Sequence, residues 1–187
     1  NTDAESVRDM TYGDFDGDGD LDIAYVNDYE NELVIVESTM SGFAHSATIA
    51  VTSTTPIVPN PISVTVCDVD SDNDLDLVVA NNNLTSLYVY ENDSTGSFTQ
   101  GTSISSGGLS QIGVVLSADI DADGHDDLVA ASGSLTFDEF SVILSDGLGG
   151  FTDAQFTLGG AVIDGVVADV DGDSDLDLVF TMFTNSS

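Results

Sequence analysis

Four stretches of nine residues hold most of the chemical potential of this chain: DFDGDGDLD from Asp14, DVDSDNDLD from Asp68, DIDADGHDD from Asp119 and DVDGDSDLD from Asp169. Carboxylates recur at positions 1, 3, 5 and 9 of each stretch: Asp14, Asp16, Asp18 and Asp22; Asp68, Asp70, Asp72 and Asp76; Asp119, Asp121, Asp123 and Asp127; Asp169, Asp171, Asp173 and Asp177. Four like charges on nine residues repel unless a cation sits among them, and a hard divalent ion taking about six to eight oxygens answers that need. Position 7 holds Asp20, Asp74, His125 and Asp175. The histidine indicates that this position offers its backbone carbonyl, which leaves the side chain free to vary. Position 6 holds Gly19, Asn73, Gly124 and Ser174, three of which tolerate a left-handed backbone at a sharp turn. A flexible all-oxygen set suits Ca2+, one ion per loop and about four in all, better than magnesium, which keeps its waters, or zinc, which prefers nitrogen and sulfur.

Solvated Asp-rich turns are the plainer alternative, and four copies in register weigh against them. Helix-loop-helix calcium hands are excluded, because their loops run to about twelve residues and end in Glu, whereas the twelfth positions here are Tyr25, Val79, Ala130 and Phe180. The flanks, such as SVTVC before the second loop and IGVVLSA before the third, read as strands. Each loop therefore joins two strands. The loop starts lie 54, 51 and 50 residues apart, so the chain is a tandem array of one unit.

Each acidic loop is followed by a second strand, then a third such as SLYVYEND or FSVILSDG, then a Gly-rich turn into a Phe-led fourth strand, NDSTGSFTQ or SDGLGGFTD. With these features the chain resembles the FG-GAP and VCBS repeat family. The resemblance covers nearly the whole chain. It implies four-stranded blades of a calcium-bearing β-propeller, as in the integrin α subunits; the Phe-Gly and Gly-Ala-Pro signatures of the integrin type are absent, which makes the bacterial-style VCBS variant the closer match.

The fold expected is thus all-β, with propeller-type blades from four repeats of about 50 residues. The expected units run from about 7 to 52, 62 to 105, 111 to 158 and 161 to 187, forming one repeat domain within a larger propeller or assembly. Three units have four strands and the fourth has two. The first should place strands near 7–13, 21–27, 32–38 and 43–51. A connector with Pro56, Pro59 and Pro61 leads stiffly into the second. A half unit leaves strand edges open, and open edges pair with other polypeptide. The segment LDLVFTMF is apolar on both faces, as suits a strand covered by neighbours.

With 34 acidic residues and one basic residue, Arg8, the formal charge is −33. Such a charge repels nucleic acid and anionic membranes, and no apolar run is long enough to cross a membrane as a helix. Cys67 is alone, which excludes an internal disulfide and reads as a buried thiol. Asn83, Asn92 and Asn185 stand in glycosylation sequons that arise by chance in a Ser/Thr-rich chain. A start at Asn1 suggests a processed or excerpted form. Calcium loops of this kind need the calcium outside the cell, so an extracellular location, secreted or cell-surface, is expected.

Catalysis is not expected. His45 and His125 are the only histidines, there is no nucleophile elbow, and the paired carboxylates fall in loops whose cation would make them poor general acids. The reading that follows is a non-catalytic structural or adhesion module that assembles with copies of itself, as in a filament, or with further blades, and that contacts extracellular protein. The competing class is a lectin-like module, accessory to a secreted enzyme, that binds glycans through exposed aromatic faces; with no Trp in the chain, Tyr12, Tyr29, Tyr88 and Tyr90 are its candidates. Position 8 holds Leu21, Leu75 and Leu176, expected to anchor their loops in the core, but Asp126 in the third copy. The third loop, which loses an apolar anchor and gains a charge, should therefore be the most mobile or the most weakly occupied, unless Asp126 takes on a ligand role of its own.

Overall fold

The computed structural model describes residues 6–53 and 56–184. Fourteen strands follow one another without a helix among the described residues, so none is long and apolar enough to cross a membrane. The first sheet holds β1 (Val7–Gly13), β2 (Asp22–Asn27), β3 (Glu32–Thr39) and β4 (Gly42–Ala50). The second holds β5 (Pro61–Cys67), β6 (Asp76–Asn81), β7 (Ser86–Asn92) and β8 (Phe98–Ser105). The third holds β9 (Ile112–Ala118), β10 (Asp127–Ser132), β11 (Glu139–Ser145) and β12 (Phe151–Thr157), and β13 (Ala161–Ala168) pairs with β14 (Asp177–Phe183). Every pairing is antiparallel and sequential, giving three meandering blades and two strands of a fourth. The first strands begin where the apolar runs predict. The second strands open on the ninth loop residue.

Alternation along these strands exposes two apolar faces per blade, and the blades bury them against each other. One core joins the first and second blades, with Leu33 and Ile35 facing Val64, Leu77, Val79 and Tyr90; the Phe15 and Phe98 rings meet edge to face across it, centroids 5.4 Å apart. A second core joins Val78, Ala80 and Leu87 to Val115, Leu128 and Ile143. A third, smaller one joins Val114 and Ala131 to Val162, with Phe180 packed against it 5.4 Å from Phe140. The expectation that β14 is covered on both faces is met only in part: Leu178 and Phe180 are half-buried, whereas Val179, Met182 and Phe183 are exposed.

The first strands stand side by side and are laced by polar groups. Ser63 Oγ and Val64 N both donate to Asp9 Oδ2, at 2.8 and 3.0 Å, Val115 N donates to Ser63 Oγ at 3.2 Å, and Ser117 Oγ donates to the Val66 carbonyl at 2.7 Å. Each first strand also carries one extra residue in its ladder, at Arg8, Ile62, Gly113 and Ile163, always six positions before the acidic loop. Such a bulge increases local twist. The four bulges line one cavity of about 290 Å³ at the end of the first strands opposite the acidic loops.

Candidate metal centre

Backbone geometry shapes the loops before any ligand is considered. Positions 4 and 6 are both left-handed in all four: Gly17 and Gly19 at φ 75° and 90°, Ser71 and Asn73 at 63° and 72°, Ala122 and Gly124 at 61° and 92°, Gly172 and Ser174 at 82° and 78°. Position 6 was legible from its residue types. Position 4 was not, because Ser71 and Ala122 give no sign of a left-handed backbone. Ser174, which departs from the pattern of position 6, adopts its conformation all the same.

This turn aims the loop's own amides at its carboxylates. The position-6 N–H donates to position 1 at 3.0 Å in every copy: Gly19 to Asp14, Asn73 to Asp68, Gly124 to Asp119 and Ser174 to Asp169. The position-5 amides of Asp18, Asp72, Asp123 and Asp173 donate to Asp16, Asp70, Asp121 and Asp171 at 3.1–3.3 Å. The position-7 amides of Asp20, Asp74, His125 and Asp175 donate to Asp18, Asp72, Asp123 and Asp173. Carboxylates held by backbone N–H groups are preorganised to face one another.

Position 9 has a second task. One oxygen of Asp22, Asp76, Asp127 and Asp177 accepts the position-2 amide of Phe15, Val69, Ile120 and Val170, at 2.9–3.1 Å. In the three complete blades the other oxygen accepts an amide from the third strand or its end, Ser38 at 2.7 Å, Asn92 at 2.9 Å and Ser145 at 2.8 Å. Asp22, Asp76 and Asp127 are at most 1% exposed. The position-9 carboxylate is thus also the staple between loop and sheet, and its oxygens keep further lone pairs for a cation.

Positions 1 and 3 come together in every loop. Asp68, Asp70 and Asp76, then Asp119, Asp121 and Asp127, then Asp169, Asp171 and Asp177 each bring three carboxylate oxygens within 4.8 Å of one another; in the first loop the third member is Asp18. Asp22, the position-5 residues of the other loops, and all of position 7 lie outside these sets. The second and third sets are electrostatically frustrated. Loss of solvent, then the carboxylates of Asp72 and Asp68, push Asp70 up, and loss of solvent, then Asp123 and Asp127, do the same to Asp121. Burial carries Asp76 to about 6, against the lowering effect of the Asn92 and Val69 amides and with a further push from Asp70 and Asp74. Asp14 Oδ1 is buried without a protein partner. An all-oxygen donor set with surplus negative charge and an orphaned buried oxygen fits a hard divalent cation.

At positions 7 and 8 the side chains leave the ring. Asp74 Oδ2 accepts from Ser94 Oγ at 2.7 Å, and the His125 ring lies against Gly147, so both reach the turn between the third and fourth strands of their own blade. Position 8 anchors the second loop as expected, since Leu75 packs against the core shared by the first two blades, and it does so over the preceding blade, where a Cβ built on Gly13 would lie 2.8 Å from Leu75 Cδ1; Leu21, with no preceding blade among the described residues, is 57% exposed. Asp126 is not an idle charge, since its Oδ2 accepts the Asp68 amide of the preceding loop at 3.2 Å. Asn92 is likewise more than a chance sequon. It is buried, its Nδ2 donates to the carbonyls of Phe15 at 2.8 Å and Leu75 at 3.2 Å, and it clamps two adjacent loops. Asn185 lies outside the described residues. Cys67 is buried, and burial, then the charges of Asp126, Asp76 and Asp68, push its thiol well up.

The FG-GAP-like repeat profile matches three overlapping spans, residues 14–79, 68–130 and 119–180, each running from one acidic loop past the next. The chain belongs to the FG-GAP-like repeat family. Comparison with curated proteins finds no match. Among solved structures, the crystal structure of BBS1N in complex with ARL6DN, soaked with lead, aligns with a TM-score of 0.59 at 12% identity, over 95% of this chain and 55% of that one. At that identity the likeness concerns the fold alone, and the chain spans about half the length of the structure it matches. FG-GAP-like repeats here build an all-β, propeller-like array of three four-stranded blades and a two-stranded fourth.

Proposed function

We propose that this FG-GAP-like array is a calcium-stabilised, non-catalytic module of an extracellular protein, acting in adhesion or assembly through its blade faces. The observation that carries the reading is the hydrogen-bond frame that recurs in four loops around converging carboxylates. Bound calcium would supply the positive charge that this frame lacks and tie each first strand to the second. The protein's own part is to hold the carboxylates in place. Loops of this type are served by the calcium-rich medium outside cells.

Assembly is supported by unequal burial of equivalent residues. Val64 on β5 is 4% exposed against the first blade, whereas Met10 and Tyr12 on the same face of β1 are 62% and 68% exposed. At the other end, Val179 and Phe183 face outward, and β14 pairs only with β13 among the described residues. These faces suit another blade, from a second copy or from other polypeptide, and residues 176 to 184 are the segment we expect to pair. The lectin-like alternative keeps fewer candidates, because Tyr90 and Tyr88 are buried and only Tyr12 and Tyr29 stand free of the core.

Sedimentation velocity over a concentration series, in calcium and in chelator, tests the assignment. Calcium-dependent association weakened by Tyr12→Asp supports assembly through the open faces. A monomer at all concentrations, combined with calcium-dependent signals on a glycan array, would favour the carbohydrate reading instead.

A further inference from the structure

The third acidic loop differs from the others where it meets its neighbour. Position 8, leucine in the other three copies, is Asp126, and position 7, aspartate in the others, is His125. Both reach into the second loop. Asp126 Oδ2 accepts the backbone N–H of Asp68, the first residue of that loop, at 3.2 Å, and His125 Nδ1 shares a hydrogen bond of 3.1 Å with Ser71 Oγ at its fourth position. Asp126 therefore adds a carboxylate beside Asp68, the first candidate ligand of the second loop.

The junction between the first and second loops is built differently. Between the first and second loops, Leu75 packs over Gly13 and against the core that holds Phe15, and neutral Asn92 bridges backbone carbonyls. Where Asn92 stands in the second blade the third has Ser145, whose Oγ accepts the Gly147 amide within its own blade. At the junction between the second and third loops a charged side chain of one blade thus holds the backbone of a candidate ligand in the preceding one.

We propose that Asp126 is a positioning residue for the second metal loop, supplied across the blade boundary, so that a residue of the third loop sets the calcium affinity of the second. The Asp126 carboxylate fixes the orientation of the Asp68 peptide and raises the negative potential at Asp68, Asp70 and Asp76, while the third loop keeps Asp119, Asp121 and Asp127 as its own set. Groups that orient a metal ligand from outside the coordination sphere change affinity by about 10–100-fold, and the half-exposed position of Asp126, where solvent and salt screen its charge, puts the expected effect at or below the low end of that range. The inference rests on the calcium reading above.

Calcium titration followed by amide NMR separates the two loops, because the amides of Asn73 and Gly124 each donate to the first carboxylate of their own loop. In Asp126→Asn the Asn73 midpoint should move to about three- to tenfold higher calcium while the Gly124 midpoint stays in place. Asp126→Leu, the residue found in the other loops, should move it at least as far. Hydrogen exchange in chelator should show the Asp68 amide losing protection in Asp126→Leu, a check that needs no metal. A shift confined to Gly124, or no shift in either variant, would overturn the inference and leave the calcium reading standing. A wild-type protein whose Asn73 and Gly124 amides ignore calcium would overturn both.

Discussion

At the scale of single residues, the ninth loop position separates folding from coordination. Removing Asp127 leaves the amides of Ile120 and Ser145 without an acceptor in a buried site, at about 1–3 kcal/mol for an unsatisfied buried group. We expect Asp127→Ala and Asp22→Ala to lower stability by about 2 kcal/mol even in chelator, and Asp20→Ala at position 7 by less than about 0.5 kcal/mol. Asp177→Ala should fall between them, since only the Val170 amide depends on it among the described residues. Urea unfolding of the four variants checks the order. Backbone strain gives a second test: Ala122 and Ser174 are left-handed where other copies have glycine, and no atom lies within 4 Å of a Cβ built on Gly17, Gly19, Gly124 or Gly172. The penalty is therefore conformational. Ala122→Gly and Ser174→Gly should each raise stability by about 0.5–1 kcal/mol in the same assay.

Acid also acts at this scale. The Asp76 carboxyl rises in the fold from an ordinary 3.8 to about 6. A raised acid contributes stability that is complete below the unfolded value and is lost as pH climbs through the folded one, so without metal this group favours the fold at pH 4 over pH 7. Calcium needs the charged form. The gap between melting temperatures in calcium and in chelator should therefore narrow as pH falls from 7 to 5, a trend that differential scanning calorimetry reads directly. A gap that widened on acidification would contradict the raised carboxyl.

At the scale of elements, the strands and loops were legible because each rests on a local signal repeated four times. Short apolar runs gave the strands, and carboxylates spaced by two gave the loops. Contacts between blades were not legible. Leu75 in DLD reads as a core anchor, and only the stacking of blades shows that it fills the space over Gly13 in the neighbouring one. Asn92 reads as a sequon because its partners, Phe15 and Leu75, lie 77 and 17 residues away. Its Oδ1 also accepts the amides of Asp93 and Gly96. Asn92→Ala should therefore cost about 2–3 kcal/mol, and Asn92 in the folded protein should stay unmodified by a glycosyltransferase. Thermal unfolding and mass spectrometry after expression in a glycosylating host test the two statements separately.

At the scale of the whole molecule, the proposal is that a chain of formal charge −33 is stabilised as a propeller-like array by cations in its acidic loops. Hydrogen bonds preorganise each loop, and apolar faces bind each blade to the next, but the converging carboxylates oppose the fold until they are neutralised. Ligand at a hundred times its dissociation constant stabilises by about 2.7 kcal/mol per site, which for a domain of this size corresponds to roughly 5–10 °C. The most direct test is the melting curve of the same protein in chelator, in magnesium and in calcium. Calcium in the acidic loops would give the lowest midpoint in chelator, a small rise in magnesium, and a rise of roughly 5–10 °C or more in calcium. Superimposable curves in chelator and calcium would contradict it.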